Sequence, residues 1–94
     1  MEVAQTALKI LRYAQKVVLR GNLNAISDAG SAAALAGAAI NGAALNVRIN
    51  ALGLKDEQAK AKLLEEISNL ELRAKELQDQ ILSQIYQRGG LNPE

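Results

Sequence analysis

The chain contains no cysteine and no histidine. That removes a thiol nucleophile, any disulfide, an ordinary zinc site, and every side chain whose unperturbed pKa lies near neutrality. Any chemistry it performs must use carboxylates, amides, hydroxyls, Arg or Lys, or backbone groups. Phenylalanine and tryptophan are also absent, leaving Tyr13 and Tyr86 as the aromatics. A core without aromatic rings must be built from Leu, Ile, Val and Ala, which suits helices better than sheets. Charge of one sign is not in excess either. Eleven Lys and Arg balance ten Asp and Glu, for a net charge of +1. The basic footprint of a dedicated nucleic-acid binder is therefore missing. The N-terminus lacks a basic-then-apolar leader and an Arg-rich transit pattern, so the expected location is cytoplasmic.

Ninety-four residues allow one small domain. Its punctuation divides it into three helices. The first spans about Val3 to Arg20. Val3, Ala7, Ile10, Ala14 and Val17 recur at helical steps, flanked by Leu11 and Val18. Lys9, Arg12, Lys16 and Arg20 form a separate cationic stripe, read either as a solvated face or as an anion site. Gly21-Asn22 stops this helix.

The second helix runs to about Asn50, with Asn24 or Ser27 as the expected N-cap. No residue between Asp28 and Arg48 is charged, and Gly30, Gly37 and Gly42 lie in its interior. Each glycine costs about 1 kcal/mol against alanine there. Such a cost is tolerable where another backbone comes close, so this reads as a central helix packed on all sides. The uncharged run is long enough to cross a membrane. It is mostly Ala, Gly, Ser and Asn and has no aromatic belt, so the reading is no membrane.

After a short connector at Ala51 to Leu54, Lys55-Asp56 opens the third helix. Leu63, Ile67, Leu70, Ala74, Leu77 and Ile81 form an a/d-type seam, widened by Leu64, Leu82 and Ile85. Ended by Gly89-Gly90, this helix would hold about 33 residues and measure roughly 50 Å. It would outrun its two neighbours, so the seam implies a second copy or further helices. Residues 1–90 form one helical unit, and residues 91–94 form a tail.

The polar residues gather at the two ends of the second helix. Asp28 is the sole carboxylate between Glu2 and Asp56. It is either a proton-transfer group or a carboxylate favoured by the dipole of the helix's first turn. Asn22 and Asn24 are turn formers or ligand hydrogen bonders. Asn46, Arg48 and Asn50 alternate at steps of two, which spreads them over different faces, so at least one should point inward. Arg48 either clamps a carboxylate or caps the helix C-terminus.

The stretch Gly21-Asn-Leu-Asn-Ala-Ile-Ser-Asp-Ala-Gly30, followed by Gly42-Ala-Ala-Leu-Asn-Val-Arg-Ile-Asn50, resembles the second half of the formiminotransferase-cyclodeaminase / methenyltetrahydrofolate cyclohydrolase family. The resemblance extends from Glu2 to about Tyr86. It implies an all-helical, cytoplasmic, homo-oligomeric enzyme of one-carbon folate metabolism. Cyclodeaminases close 5-formiminotetrahydrofolate to 5,10-methenyltetrahydrofolate and release ammonia. Cyclohydrolases interconvert methenyl- and 10-formyltetrahydrofolate by adding water. The tetrahydrofolate derivative is a substrate, and no further cofactor or metal is implied. Carried over by position, the resemblance gives Asn22, Asn24, Ser27, Asp28, Asn46, Arg48 and Asn50 as candidate site residues. Of these, Asp28 is expected to be the catalytic proton-transfer group and the other six to bind substrate. Members of the family also carry an N-terminal half with a Pro-Gly-Gly-Gly-Ser-type loop, which these 94 residues do not contain. The expectation is an incomplete part of an enzyme, completed by a missing N-terminal half. The alternative is a non-catalytic helical oligomerisation module.

Overall fold

In the computed structural model, which describes residues 1–90, the three expected helices are present as α1 (Glu2–Arg20), α2 (Leu23–Ala51) and α3 (Glu57–Gly89). The expected tail at 91–94 lies outside the described residues. A two-residue turn reverses the chain between α1 and α2. α3 then folds back along α2, so that it runs parallel to α1. The cross-links confirm this order. The Gln15 amide donates to Gln80 Oε1 at 2.9 Å. Arg88 donates to the Val18 carbonyl at 2.6 Å, satisfying one of the orphan acceptors at the C-terminal end of α1.

α1 buries Ala4, Ala7, Leu11, Ala14 and Val18. The inward line is therefore not the expected Val3-Ala7-Ile10-Ala14-Val17. Leu11 and Val18 are fully buried, whereas Val3 is 62% exposed and Ile10 lies on the open margin. The reason is that α1 packs against two helices. Its buried arc is centred between α2 and α3, and Val3 and Ile10 fall on its outer edge.

The N-cap of α2 is Asn22, whose side chain accepts from the Ala25 amide at 2.9 Å. Asn24 and Ser27 are not the cap. Helix therefore starts at Leu23, and Asp28 lies in its second turn rather than its first. The cap of α3 is Asp56, accepting from Gln58 and Ala59. Its end is Gly90 with φ 65°, the left-handed conformation that glycine adopts without strain.

The core is aliphatic. Leu11, Val18, Ile40 and Ile81 anchor one end among alanines of α1 and α2. Ala4, Ala44, Val47 and Ile67 form the other. Ile67, Ala74 and Ile81 of the α3 seam are buried, and Leu63, Leu70 and Leu77 pack against the two clusters. The seam is thus covered within the chain. α2 alone is about 43 Å long at 1.5 Å per residue, enough to line most of α3. A second chain is not needed there.

The bare surface lies elsewhere. α2 is buried on one side only, through Ile26, Ala29, Ala33, Ala36, Gly37, Ile40, Ala44, Val47 and Ala51. On its opposite side Leu35 is 73% exposed, Leu45 62% and Ile49 65%. The expectation of packing on all sides fails because α1 and α3 touch each other and occupy the same flank of α2. By length and a mean hydropathy of 1.3, α2 has what a membrane crossing requires. Its outward face, however, carries Asn24, Asp28, Ser31 and Asn46, groups that hydrocarbon would leave unsolvated.

Only part of the glycine expectation holds. A Cβ on Gly30 would meet Ile85 at 2.9 Å. At Gly37 the close neighbour is a side chain, not a backbone. Gln78 reaches over the glycine and donates to the Ala33 carbonyl at 3.1 Å, and a Cβ there would collide with its amide. Replacing Gly37 by leucine expels Gln78 and overpacks the α2–α3 contact, at an expected cost of about 1–3 kcal/mol. A thermal melt checks this, and an unchanged midpoint would contradict it. Gly42 has nothing within 4 Å, so within this chain nothing uses the room it leaves.

Candidate functional site on the outer face of the central helix

The residues singled out in the sequence fall into two groups at opposite ends of α2. Asn22, Asn24, Ser27 and Asp28 stand at its N-terminal end, and Asn46, Arg48 and Asn50 at its C-terminal end. Eighteen residues separate Asp28 from Asn46, or about 27 Å along the axis. One chain does not bring the groups together.

They do share a face. Positions 24, 28, 31, 35, 42, 45, 46 and 49 follow the helical period, and all eight are exposed. Asn24, Asp28 and Asn46 therefore stand on the same open stripe as Leu35, Leu45 and Ile49. Ser27 and Asn50 are exposed on its margins. The other two residues have structural partners. Asn22 is occupied as the cap of α2. Arg48 turns toward α3, where it pairs with Glu71 and donates to Ser68 Oγ at 3.3 Å. Arg48 is thus the inward-pointing member of its cluster, and it caps nothing. It ties the C-terminal half of α2 to α3. With both partners part-exposed, the pair contributes at most about 1 kcal/mol. Glu71→Gln should therefore lower the melting temperature only slightly, whereas a large drop would mean that the pair is more than a surface tie.

Asp28 borders a depression of about 290 Å³ between α1 and α2, walled by Ile10, Tyr13, Ala14, Val17, Ala25, Ala29 and Ala32. This adjoins, at Ile10 and Ala32, a larger groove of about 550 Å³ that continues past Val3, Thr6, Leu35 and Ala39. A carboxylate and a phenol thus stand over a mostly apolar trough, with Glu2 and Thr6 lining the adjoining groove, a pattern typical of small-molecule sites. Tyr13 was not among the candidates read from the sequence. The available signal was its isolation as one of two aromatics, placed on the helix facing the N-terminal half of α2. Among the described residues no group of three or more Asp and Glu side chains is placed to hold a metal.

Comparison with known proteins bears on the same segment. The formiminotransferase-cyclodeaminase family matches residues 1–69. That range takes in α1, both polar ends of α2 and the first turns of α3. A methenyltetrahydrofolate cyclohydrolase of Methylorubrum extorquens is 39% identical over 77 residues, which cover 82% of this chain and 37% of that protein. The chain thus spans little more than a third of the length of this relative. No solved structure matches. The matched residues include every candidate on the outer face of α2, and by that match the chain belongs to the formiminotransferase-cyclodeaminase family.

Proposed function

We propose that this chain serves one-carbon folate metabolism, with a tetrahydrofolate derivative as its substrate. The observation that carries the reading is the family match over the segment in which Asp28 and Tyr13 overlook the apolar trough. The reaction class is methenyltetrahydrofolate hydrolysis or cyclisation of 5-formiminotetrahydrofolate with loss of ammonia. The setting is cytoplasmic, and the working enzyme is a homo-oligomer. Further catalytic parts are supplied in cis or by a partner chain.

The chemistry asked of the protein is modest. In the methenyl compound the one-carbon unit is an amidinium, already electrophilic. Water adds to that carbon and gives one proton to a base, N5 takes up a proton as the carbon–N5 bond breaks, and the adduct's hydroxyl proton is released as the formyl carbonyl forms. In the formimino compound N10 attacks the same carbon, loses its proton, and the formimino nitrogen leaves as ammonia. Both routes need one group that accepts a proton and returns it. Asp28 is that group, with Asn24, one turn away on the same face, as an amide hydrogen bonder. Arg48, expected to meet the substrate's glutamate carboxylate, is turned to Glu71 and lies about 30 Å along α2 from Asp28, so within one chain it does not reach a substrate held at Asp28.

A second reading is a non-catalytic assembly module, favoured by the large open apolar face of α2. Ligand binding separates the two. A ligand bound only by the folded chain stabilises it by about 2.7 kcal/mol at a hundred times its Kd. A tetrahydrofolate derivative should therefore raise the melting temperature. No shift at saturating ligand would favour the assembly module.

A further inference from the structure

Tyr13 is an exposed aromatic that nothing in the fold uses. It is 70% exposed, and its hydroxyl takes no part in the side-chain hydrogen bonds among the described residues. A ring left in water on the rim of a depression is more informative than a ring in a core. We infer that the face of the Tyr13 ring stacks on the flat, positively charged one-carbon unit of the substrate, and that this contact makes the trough selective for the methenyl form over uncharged folates. The inference rests on the folate reading for its ligand and adds to it the residue that sets charge selectivity.

The trough is a product of small residues. Ala7, Ala14, Ala29 and Ala36 are buried where α1 meets α2. They let the two helices come close while filling little of the space above them. Tyr13, with Ile10 and Val17 on α1, forms one shoulder of the smaller depression, and Ala25, Asp28 and Ala32 of α2 form the other. The two helices run antiparallel, so residues equally far from Gly21 stand level. Val17 is then level with Ala25, Ile10 with Ala32, and Tyr13 with Ala29, next to Asp28. The wall across from the ring is thus alanine, which keeps the space open, and the charged group beside it is a carboxylate. A volume of about 290 Å³ is close to the lower end of small-molecule pockets, about 300 Å³, so the depression suits one planar ring system. The rest of a folate runs on into the groove of about 550 Å³, which shares Ile10 and Ala32 with it.

Charge decides which folate fits best. The face of an aromatic ring is the negative pole of its quadrupole and attracts a cation placed over it. In the methenyl compound the charge is spread over a flat amidinium ring, which can lie on Tyr13 while Asp28 stands beside it. The charged residues lining the two depressions are Asp28 and Glu2, both carboxylates. Lys9, Arg12, Lys16 and Arg20 belong to neither lining and do not offset them. The ligand's glutamate carboxylates find no cation in the trough and stay in water. The positive charge is lost as water adds and the formyl group forms. Tyr13 therefore holds the methenyl substrate more strongly than the formyl product, and it contributes to binding more than to rate.

Because Tyr13 is exposed, replacing it should leave circular dichroism and the melting temperature unchanged. Tyr13→Phe keeps the ring face and loses the hydroxyl. Tyr13→Leu keeps apolar bulk and loses the ring. Calorimetric titrations of the chain use two ligands. One is 5,10-methenyltetrahydrofolate, at the mildly acidic pH where the amidinium resists hydrolysis. The other is 5-formyltetrahydrofolate, uncharged at its one-carbon unit. Tyr13→Leu should weaken binding of the methenyl compound by about 2–30-fold, with a smaller loss for the formyl compound. Tyr13→Phe should bind both as the unmodified chain does. Tyr86→Phe leaves Tyr13 as the one tyrosine, and stacking should move its ring resonances upfield when the methenyl compound is added. If Tyr13→Leu weakens both ligands equally or neither, or if Tyr13→Phe binds as poorly as Tyr13→Leu, the role of Tyr13 is overturned and the folate reading stands. If the unmodified chain binds neither folate, the folate reading is overturned and this inference with it.

Discussion

Substituting Asp28 by asparagine lowers turnover of the assembled enzyme by about 10²–10⁴-fold, the range lost with a general acid–base group. The change preserves shape and removes basicity. The position of Asp28 sharpens the expectation. Had it been in the first turn, the helix dipole alone would have justified a carboxylate there. It lies in the second turn, after a cap supplied by Asn22, and the dipole effect fades within the first turn. It makes no ion pair with a neighbouring side chain among the described residues. The substitution should therefore leave the melting temperature nearly unchanged. Steady-state assays and thermal melts on this one variant decide the matter. Lost stability with retained turnover would assign Asp28 to the fold.

Leu70→Asp combined with Leu77→Asp should unfold the chain rather than dissociate an assembly. Both leucines pack against the clusters formed by α1 and α2. A carboxylate placed there loses solvation without gaining a partner, at a cost of several kcal/mol each. A domain of this kind has about 5–15 kcal/mol of stability in total. Circular dichroism should show lost helix, and the exposed pair Leu35 and Leu45 provides the contrast. A helical, cooperatively melting monomer from the α3 double variant would mean that the seam faces another chain.

The three helices were legible because each is bounded by residues with a local mechanism. Gly21-Asn22, Asp56 and Gly89-Gly90 act on the backbone beside them, and the periodic apolar lines need no long-range knowledge. What sequence could not supply was which neighbour lies on which side. Val3 and Leu11 are equally apolar, and only the joint position of α2 and α3 makes Leu11 the inward residue. Gly37 was legible as a place of close approach, but its visitor, Gln78, is 41 positions away in the chain. Three cap-competent residues, Asn22, Asn24 and Ser27, compete at the start of α2. The tight two-residue turn decides for the first.

The candidate site was legible as a set of residues and not as a surface. Spacing alone placed Asn46, Arg48 and Asn50 on different faces, and the structure agrees by turning Arg48 to Glu71. It gave no hint that Asn24, Asp28 and Asn46 share one open stripe, because their alignment depends on one unbroken helix from Leu23 to Ala51. Tyr13 was missed because it comes to border the same depression as Asp28 only when α1 and α2 pack together.

The most direct measurement is a titration of the uniformly labelled chain with 5-formyltetrahydrofolate, followed through its backbone amide resonances. The account predicts saturable shifts concentrated at Tyr13, Asn24 and Asp28, with the cationic stripe of Lys9, Arg12, Lys16 and Arg20 and the outer surface of α3 little affected. Shifts confined to the cationic stripe, or none at saturating ligand, would contradict it.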